Sequence, residues 1–114
     1  MSEATRFGLK PETIDVIRSV LADFGCITEA VLYGSRAMGT FRPGSDIDLA
    51  LKTTNEIPRS LAIDIETRLD DLDLPYSFDI SLLAQISNAD LREHIDRVGV
   101  VFYSTVSHNE TGHP

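Results

Sequence analysis

Two spacings of apolar residues alternate along the chain and predict its secondary structure. A spacing of three to four residues predicts helices at 11–24, 58–73 and 88–98. A proline opens each of the first two helices, and a glycine follows the first and the third. Ser87, with Asp90 three residues later, resembles a capping box at the start of the third helix.

A spacing of two predicts the strands. Residues 30–33 and 100–103 are short apolar runs, as expected of buried strands. Residues 46–51 and 77–82 alternate polar with apolar positions, so each predicted strand has one polar face. The order helix, strand, strand, helix, strand, helix, strand predicts a small α/β or α+β fold.

Length and composition indicate one small globular unit. The chain has 114 residues, of which 42% are hydrophobic and 25% charged. We expect a single domain at 1–103, followed by a polar, flexible tail at 104–114. One cysteine, Cys26, cannot form an internal disulfide. The first ten residues lack a long apolar run, so we expect a cytoplasmic protein.

The charge balance narrows the classes of partner. Ten Lys and Arg face eighteen Asp and Glu, which gives a net charge of −8. Binding to nucleic acid or to an anionic membrane needs a basic surface, so we expect neither. Eight of the ten cations are arginines, which suit bidentate contacts with phosphate or carboxylate.

Three carboxylates lie on the polar faces of two predicted strands. Asp46 and Asp48 are two residues apart and share a strand face, and Asp79 is on the polar face of 77–82. If the two strands are neighbours, three anions crowd one patch and require a cation. Mg²⁺ prefers such hard oxygen ligands and usually shares them with substrate phosphates.

A loop with phosphate-binding character precedes these acids. Gly34 and Ser35 follow a predicted strand directly, and such a turn can present N–H groups and a hydroxyl to an anion. Arg36 and Arg42 lie in the same loop. Phosphate donors and metal acceptors within fifteen residues predict a site for a nucleoside triphosphate with its metal.

The run YGSRAMGTFRPGSDIDL at 33–49 resembles the DNA polymerase β-like nucleotidyltransferases, and among them the minimal MNT type. The shared pattern is Gly-Ser, ten intervening residues and Asp-x-Asp. The resemblance covers roughly residues 9 to 103. It implies a small mixed sheet with helices on one face and an open active-site face. One departure is Met38, where close relatives often carry a second basic residue.

The resemblance also implies roles for individual residues. Gly34 and Ser35 would line the triphosphate of ATP, with Arg36 or Arg42 neutralising phosphate charge. Asp46 and Asp48 would hold two Mg²⁺ ions. Asp79 would complete the metal site and help deprotonate an attacking hydroxyl.

MNT-type proteins are commonly antitoxins paired with a HEPN-domain toxin, so the resemblance implies a HEPN partner. The expected activity is transfer of a nucleoside monophosphate, AMP from ATP, to a hydroxyl of that partner. One alternative is a binding module that neutralises its partner by occlusion without turnover, which Met38 slightly favours. Another is a small-molecule nucleotidyltransferase, for which the chain hardly provides an acceptor pocket.

Two other groups of residues have simpler interpretations. His94, next to Ile95 on the last predicted helix, is expected to be partly buried and hydrogen-bonded rather than a ligand. Asp70, Asp71 and Asp73 form a second acidic cluster. It lacks strand alternation and a neighbouring phosphate loop, so we interpret it as solvated surface.

Overall fold

A computed structural model describes residues 6–105 of the chain. Its helices are α1 (Pro11–Ala22), the single turn α2 (Ser35–Met38), α3 (Leu61–Asp70) and α4 (Ala89–Val98). Its strands are β1 (Ile27–Tyr33), β2 (Ile47–Thr53), β3 (Phe78–Leu82) and β4 (Val100–Ser104), and a 3₁₀ turn, Leu83–Gln85, follows β3. The α/β fold class is confirmed.

The four strands form one mixed sheet in the order β3-β2-β1-β4. β1 is antiparallel to both β2 and β4, whereas β2 and β3 are parallel. A parallel pair requires a crossover, which α3 supplies between β2 and β3. The order places β2, with its alternating acids, beside β3, so the polar faces of the two strands adjoin.

One face of the sheet carries the main hydrophobic core. Leu32 of β1, Leu49 of β2 and Ile80 of β3 point to this face and contact the buried sides of α1 and α3. Ile17 of α1 and Ile65 of α3 lie on the apolar stripes of their helices, and both side chains are fully buried in this core. This core is the one that the apolar periodicity predicted.

The opposite face is only partly covered. A smaller apolar cluster of Val31, Tyr33, Ala50 and Ile95 packs α4 against it. We expected the helices on one face of the sheet, but α4 crosses the opposite face near β1. The carboxylates of β2 and β3 share the remainder of this face. None of the helices within residues 6–105 is long and apolar enough to span a membrane.

The structure changes several predicted boundaries. The capping box at Ser87 is wrong: Asn88 is the N-cap of α4, and its side chain accepts a hydrogen bond from the Leu91 N–H at 3.0 Å. Asparagine caps as well as serine does, so the spacing alone left both available. β1 begins earlier than expected because residues 27–29 pair with β2. The predicted tail from 106 onwards lies outside the described residues.

Candidate active site

Asp48 and Asp79 are brought together by the register of the sheet. They are directly paired across the parallel strands β2 and β3, so their side chains project from the same face. Asp48 is half-buried and Asp79 is exposed at the rim. The sequence did not show whether β2 and β3 are neighbours. Because they are, the two carboxylates lie side by side.

Asp46 lies one residue before β2, in the loop, and is exposed. Its charge still acts on Asp48. Within residues 6–105, however, no three Asp, Glu, His or Cys side chains are arranged closely enough to hold a metal ion. The structure thus pairs Asp48 with Asp79 and leaves Asp46 at the edge of the pair.

The pKa of Asp48 reflects the carboxylates close to it. Burial, together with the charges of Asp79 and Asp46, raises the pKa of Asp48 to about 6. His94 and Arg36 oppose the shift without cancelling it. Asp48 is therefore an anion for which the protein alone supplies too little positive charge, as expected of a carboxylate that binds a cation.

Gly34 makes the approach of Asp48 to the loop possible. It has φ 76°, a left-handed conformation that favours glycine. A Cβ atom at this position would overlap Oδ2 of Asp48. The glycine is thus required twice, by its backbone conformation and by the carboxylate packed against it.

The loop from residue 34 to residue 46, which we call the 34–46 loop, connects β1 to β2. Ser35 is half-buried at the first position of α2, directly after Gly34. Arg42 is exposed, and its backbone N–H donates to Oγ of Ser45 at 2.8 Å. Arg36 differs, because its guanidinium is buried and donates to backbone carbonyls. Met38 is 48% exposed.

His94 belongs to this neighbourhood, although no functional role was expected for it. Its Nε2 accepts a hydrogen bond from the Gly34 N–H at 3.2 Å, so α4 is attached to the start of the 34–46 loop. Its ring also meets the ring of Tyr33 edge-on, with centroids 6.1 Å apart. The expectation of a partly buried, hydrogen-bonded histidine is confirmed. Only the crossing of α4 over the sheet, which has no local sequence signal, reveals its partner.

Tyr33 lies at the inner edge of the same face. It is paired with Asp48 across β1 and β2. Burial raises the pKa of the Tyr33 hydroxyl, a hydrogen bond with Ser81 opposes this, and the charges of Asp79 and Asp48 add to it. The hydroxyl therefore stays protonated at neutral pH beside the two carboxylates.

The donor set fits a divalent metal. Carboxylate oxygens are hard ligands, and the raised pKa of Asp48 shows that a nearby positive charge would be favourable. Asp46, one residue before β2, can complete such a set from the loop. Carboxylates paired beside a Gly-Ser turn on a mixed sheet form the site that the sequence pattern predicted for the class of nucleotide-transfer proteins.

The family assignment agrees with that class. Residues 15–108 match the family described as Polymerase beta, Nucleotidyltransferase, which covers most of the chain. The chain belongs to this family. No curated protein sequence matches it.

Solved structures share the fold. A chain in a crystal structure of a toxin–antitoxin with AMP-PNP is 21% identical, with a TM-score of 0.65 over 89% of this chain and 79% of that chain. A complex of a tri-AMPylated Shewanella oneidensis HEPN toxin with an MNT antitoxin gives 19% identity and a TM-score of 0.61, covering 88% and 76%. A chain in a crystal structure of the toxin–antitoxin MntA-HepT is 18% identical, with a TM-score of 0.61 over 84% of this chain and 74% of that chain.

Proposed function

We propose that this protein is a metal-dependent nucleotidyltransferase that moves AMP from ATP to a hydroxyl of a HEPN-domain partner protein. The observation that carries the proposal is the direct pairing of Asp48 with Asp79 beside Gly34. Family membership supports nucleotidyl transfer as the reaction class.

The residues divide the work of the reaction. Asp46, Asp48 and Asp79 would hold two Mg²⁺ ions, which would supply charge neutralisation at the entering and leaving oxygens. Ser35 and the exposed guanidinium of Arg42 bind the triphosphate oxygens. Because Gly34 has no Cβ, the backbone there can approach both the phosphates and the carboxylate of Asp48.

The transfer itself is an in-line displacement at the α-phosphorus. A bond forms between the acceptor oxygen and phosphorus, the bond to the β-phosphate oxygen breaks, and pyrophosphate leaves. Asp79 is the exposed member of the carboxylate pair and takes the proton of the acceptor hydroxyl. Its position at the rim allows an acceptor from another protein to reach it.

Structural similarity and the exposure of the site support a protein acceptor. The similar structures contain antitoxins in complex with toxins, and one of those toxins, a HEPN protein, carries AMP. Asp79 lies on the exposed surface at the rim of the pair. Such a surface suits an acceptor presented by a partner, here a HEPN toxin that this protein acts on as antitoxin.

The test uses ATP labelled at the α-phosphate, Mg²⁺ and a HEPN protein encoded and purified with this chain. Label is expected on the HEPN protein with the wild type and not with Asp48→Asn. Asp70→Asn is the matched control, since it removes one carboxylate from the second acidic cluster.

Three outcomes would contradict the proposal. Unlabelled partner in a complex that still forms would establish neutralisation by occlusion instead. Equal labelling by the wild type and Asp48→Asn would remove the carboxylate pair from the reaction. Label on a small molecule but not on protein would show that the acceptor class is wrong.

A further inference from the structure

A buried arginine lies beneath the 34–46 loop. Arg36 is 2% exposed, the only charged or polar side chain of residues 6–105 that is buried to this degree. None of the ion pairs found in that part of the chain includes it. A buried guanidinium is costly unless its N–H groups are satisfied, so its contacts must be specific.

Those contacts are to backbone carbonyls and aromatic rings. Nε and Nη2 both donate to the Ser45 carbonyl, at 3.2 and 2.9 Å, and Nη1 donates to the Phe7 carbonyl at 2.8 Å. The rings of Phe41 and Tyr76 flank the guanidinium, with centroids 5.3 and 5.0 Å from its central carbon.

The contacts converge where β2 and β3 begin. Ser45 immediately precedes Asp46, so the forked bond fixes the peptide that carries this aspartate. Tyr76 lies just before β3, and the next residue, Ser77, accepts the N–H of Ile47 at 2.9 Å. One side chain thus contacts the segments leading to both strands of the carboxylate pair.

The contact between Arg36 and Phe41 also restricts position 8 to glycine. Gly8 has φ 74°, and a Cβ there would overlap the Phe41 ring and approach Nη1 of Arg36. The turn at residues 6–9, closed by hydrogen bonds between Arg6 and Leu9, therefore has a glycine where the arginine passes beneath it.

From this arrangement we infer that Arg36 is a positioning residue that fixes Asp46 for metal binding, rather than a ligand of the phosphates. Its donors are directed at the Ser45 and Phe7 carbonyls, inside the protein. The exposed Arg42 is left as the cation of this loop for phosphate. The role of Asp46 as a metal ligand rests on the proposed function, whereas the bracing of the loop does not.

Arg36→Lys separates charge from geometry. Lysine keeps the positive charge near Asp48 but cannot form the forked bond to Ser45 and reach Phe7 at once. Arg18→Lys is the matched control, because Arg18 also donates to a backbone carbonyl, that of Phe102, and lies against an aromatic ring, but next to β4. Both variants lose an arginine–carbonyl contact, and only one lies under the loop.

The first measurement is amide hydrogen exchange in the metal-free protein. Exchange at residues 39–46 is expected to become at least about tenfold faster in Arg36→Lys and to stay unchanged in Arg18→Lys. Unchanged exchange in Arg36→Lys would overturn the inference. This readout does not depend on nucleotidyl transfer, so it distinguishes failure of the bracing from failure of the proposed function.

The second measurement is Mn²⁺ binding by calorimetry. Affinity is expected to fall about tenfold in Arg36→Lys, and to fall no further when Arg36→Lys is added to Asp46→Asn. A full additional loss in the Asp46→Asn background would contradict action through Asp46. Unchanged Mn²⁺ affinity with a raised KM for ATP would show that Arg36 is a phosphate ligand. Absence of Mn²⁺ binding by the wild type would instead refute the metal site of the proposed function.

Discussion

The two faces of the sheet differ in what holds them together. The face towards α1 and α3 is covered by buried aliphatic side chains such as Leu32, Leu49 and Ile80. The other face has a small apolar cluster around Ile95 and then the carboxylates of Asp48 and Asp79. Neighbouring residues of one strand therefore have opposite effects: burial of Leu49 stabilises the fold, whereas burial beside Asp79 and Asp46 makes the charged form of Asp48 unfavourable.

This contrast predicts that substitutions on the two faces have effects of different kinds. Changes on the core face should lower the free energy of unfolding and leave the chemistry of each folded molecule intact. Changes on the site face should abolish metal binding or transfer with small or even favourable effects on stability.

The largest effect is expected from Gly34→Ala. A Cβ at this position overlaps Asp48, so the carboxylate must move away from the loop. Transfer should fall about a thousandfold, which corresponds to about 4 kcal/mol of lost transition-state stabilisation. Gly39→Ala is the control, because Gly39 also has a positive φ but nothing lies near its Cβ position. Equal losses in both variants, measured as label transfer, would assign the effect to backbone strain alone.

Leu49→Ala tests the core face. Leu49 is fully buried among the residues of the main core. Its truncation should cost about 3 kcal/mol in the free energy of unfolding, measured by denaturant titration. Mn²⁺ affinity below the unfolding transition should be unchanged. A large loss of affinity in the folded variant would show that the two faces are not independent.

His94 links α4 to the site, and we expect a smaller effect there. His94→Leu removes the acceptor of the Gly34 N–H and should lower transfer about tenfold, roughly 1.4 kcal/mol. His94→Gln places an amide oxygen near the position of Nε2 and should restore most of the activity. The Gly34 amide resonance, followed by NMR, should shift in the leucine variant and return in the glutamine variant. Failure of glutamine to restore either signal would exclude the hydrogen bond as the cause.

The smallest effect concerns pH. The pKa of Asp48 is raised to about 6, so the folded state holds this proton more tightly than the unfolded chain does. The resulting stability is present in acid and is lost as pH rises through about 6. Asp48→Asn should therefore be more stable than the metal-free wild type at pH 7.5, by roughly 1 kcal/mol once solvent screening is allowed for. The difference should shrink towards pH 4. A constant difference would show that Asp48 is not the titrating group.

The core face was predictable from the sequence because its rules are local. Helical spacing identified Ile17 and Ile65, and alternation identified Leu49, all of which are buried. The Gly34–Ser35 and Asp46–Asp48 pattern likewise predicted the family. Periodicity reports which side of an element is apolar, and in this chain that determines which elements contact α1 and α3.

The site face was less predictable because it depends on which elements meet. Alternation placed Asp46 and Asp48 on one strand face, yet β2 begins only at Ile47, and Asp46 lies in the loop. The contact of His94 with Gly34 spans 60 residues, and burial of Arg36 depends on Phe7 and Tyr76 folding over it. Tertiary contacts of this kind have no local sequence pattern.

The most direct test of the central claim is where a divalent metal binds. Crystals grown with Mn²⁺ and a non-hydrolysable ATP analogue, with diffraction data collected at the manganese absorption edge, locate the ion by its anomalous signal. We predict a peak bonded to carboxylate oxygens of Asp48 and Asp79, with the triphosphate against Ser35. A peak at the second acidic cluster, Asp70 to Asp73, with none between Asp48 and Asp79, would contradict it.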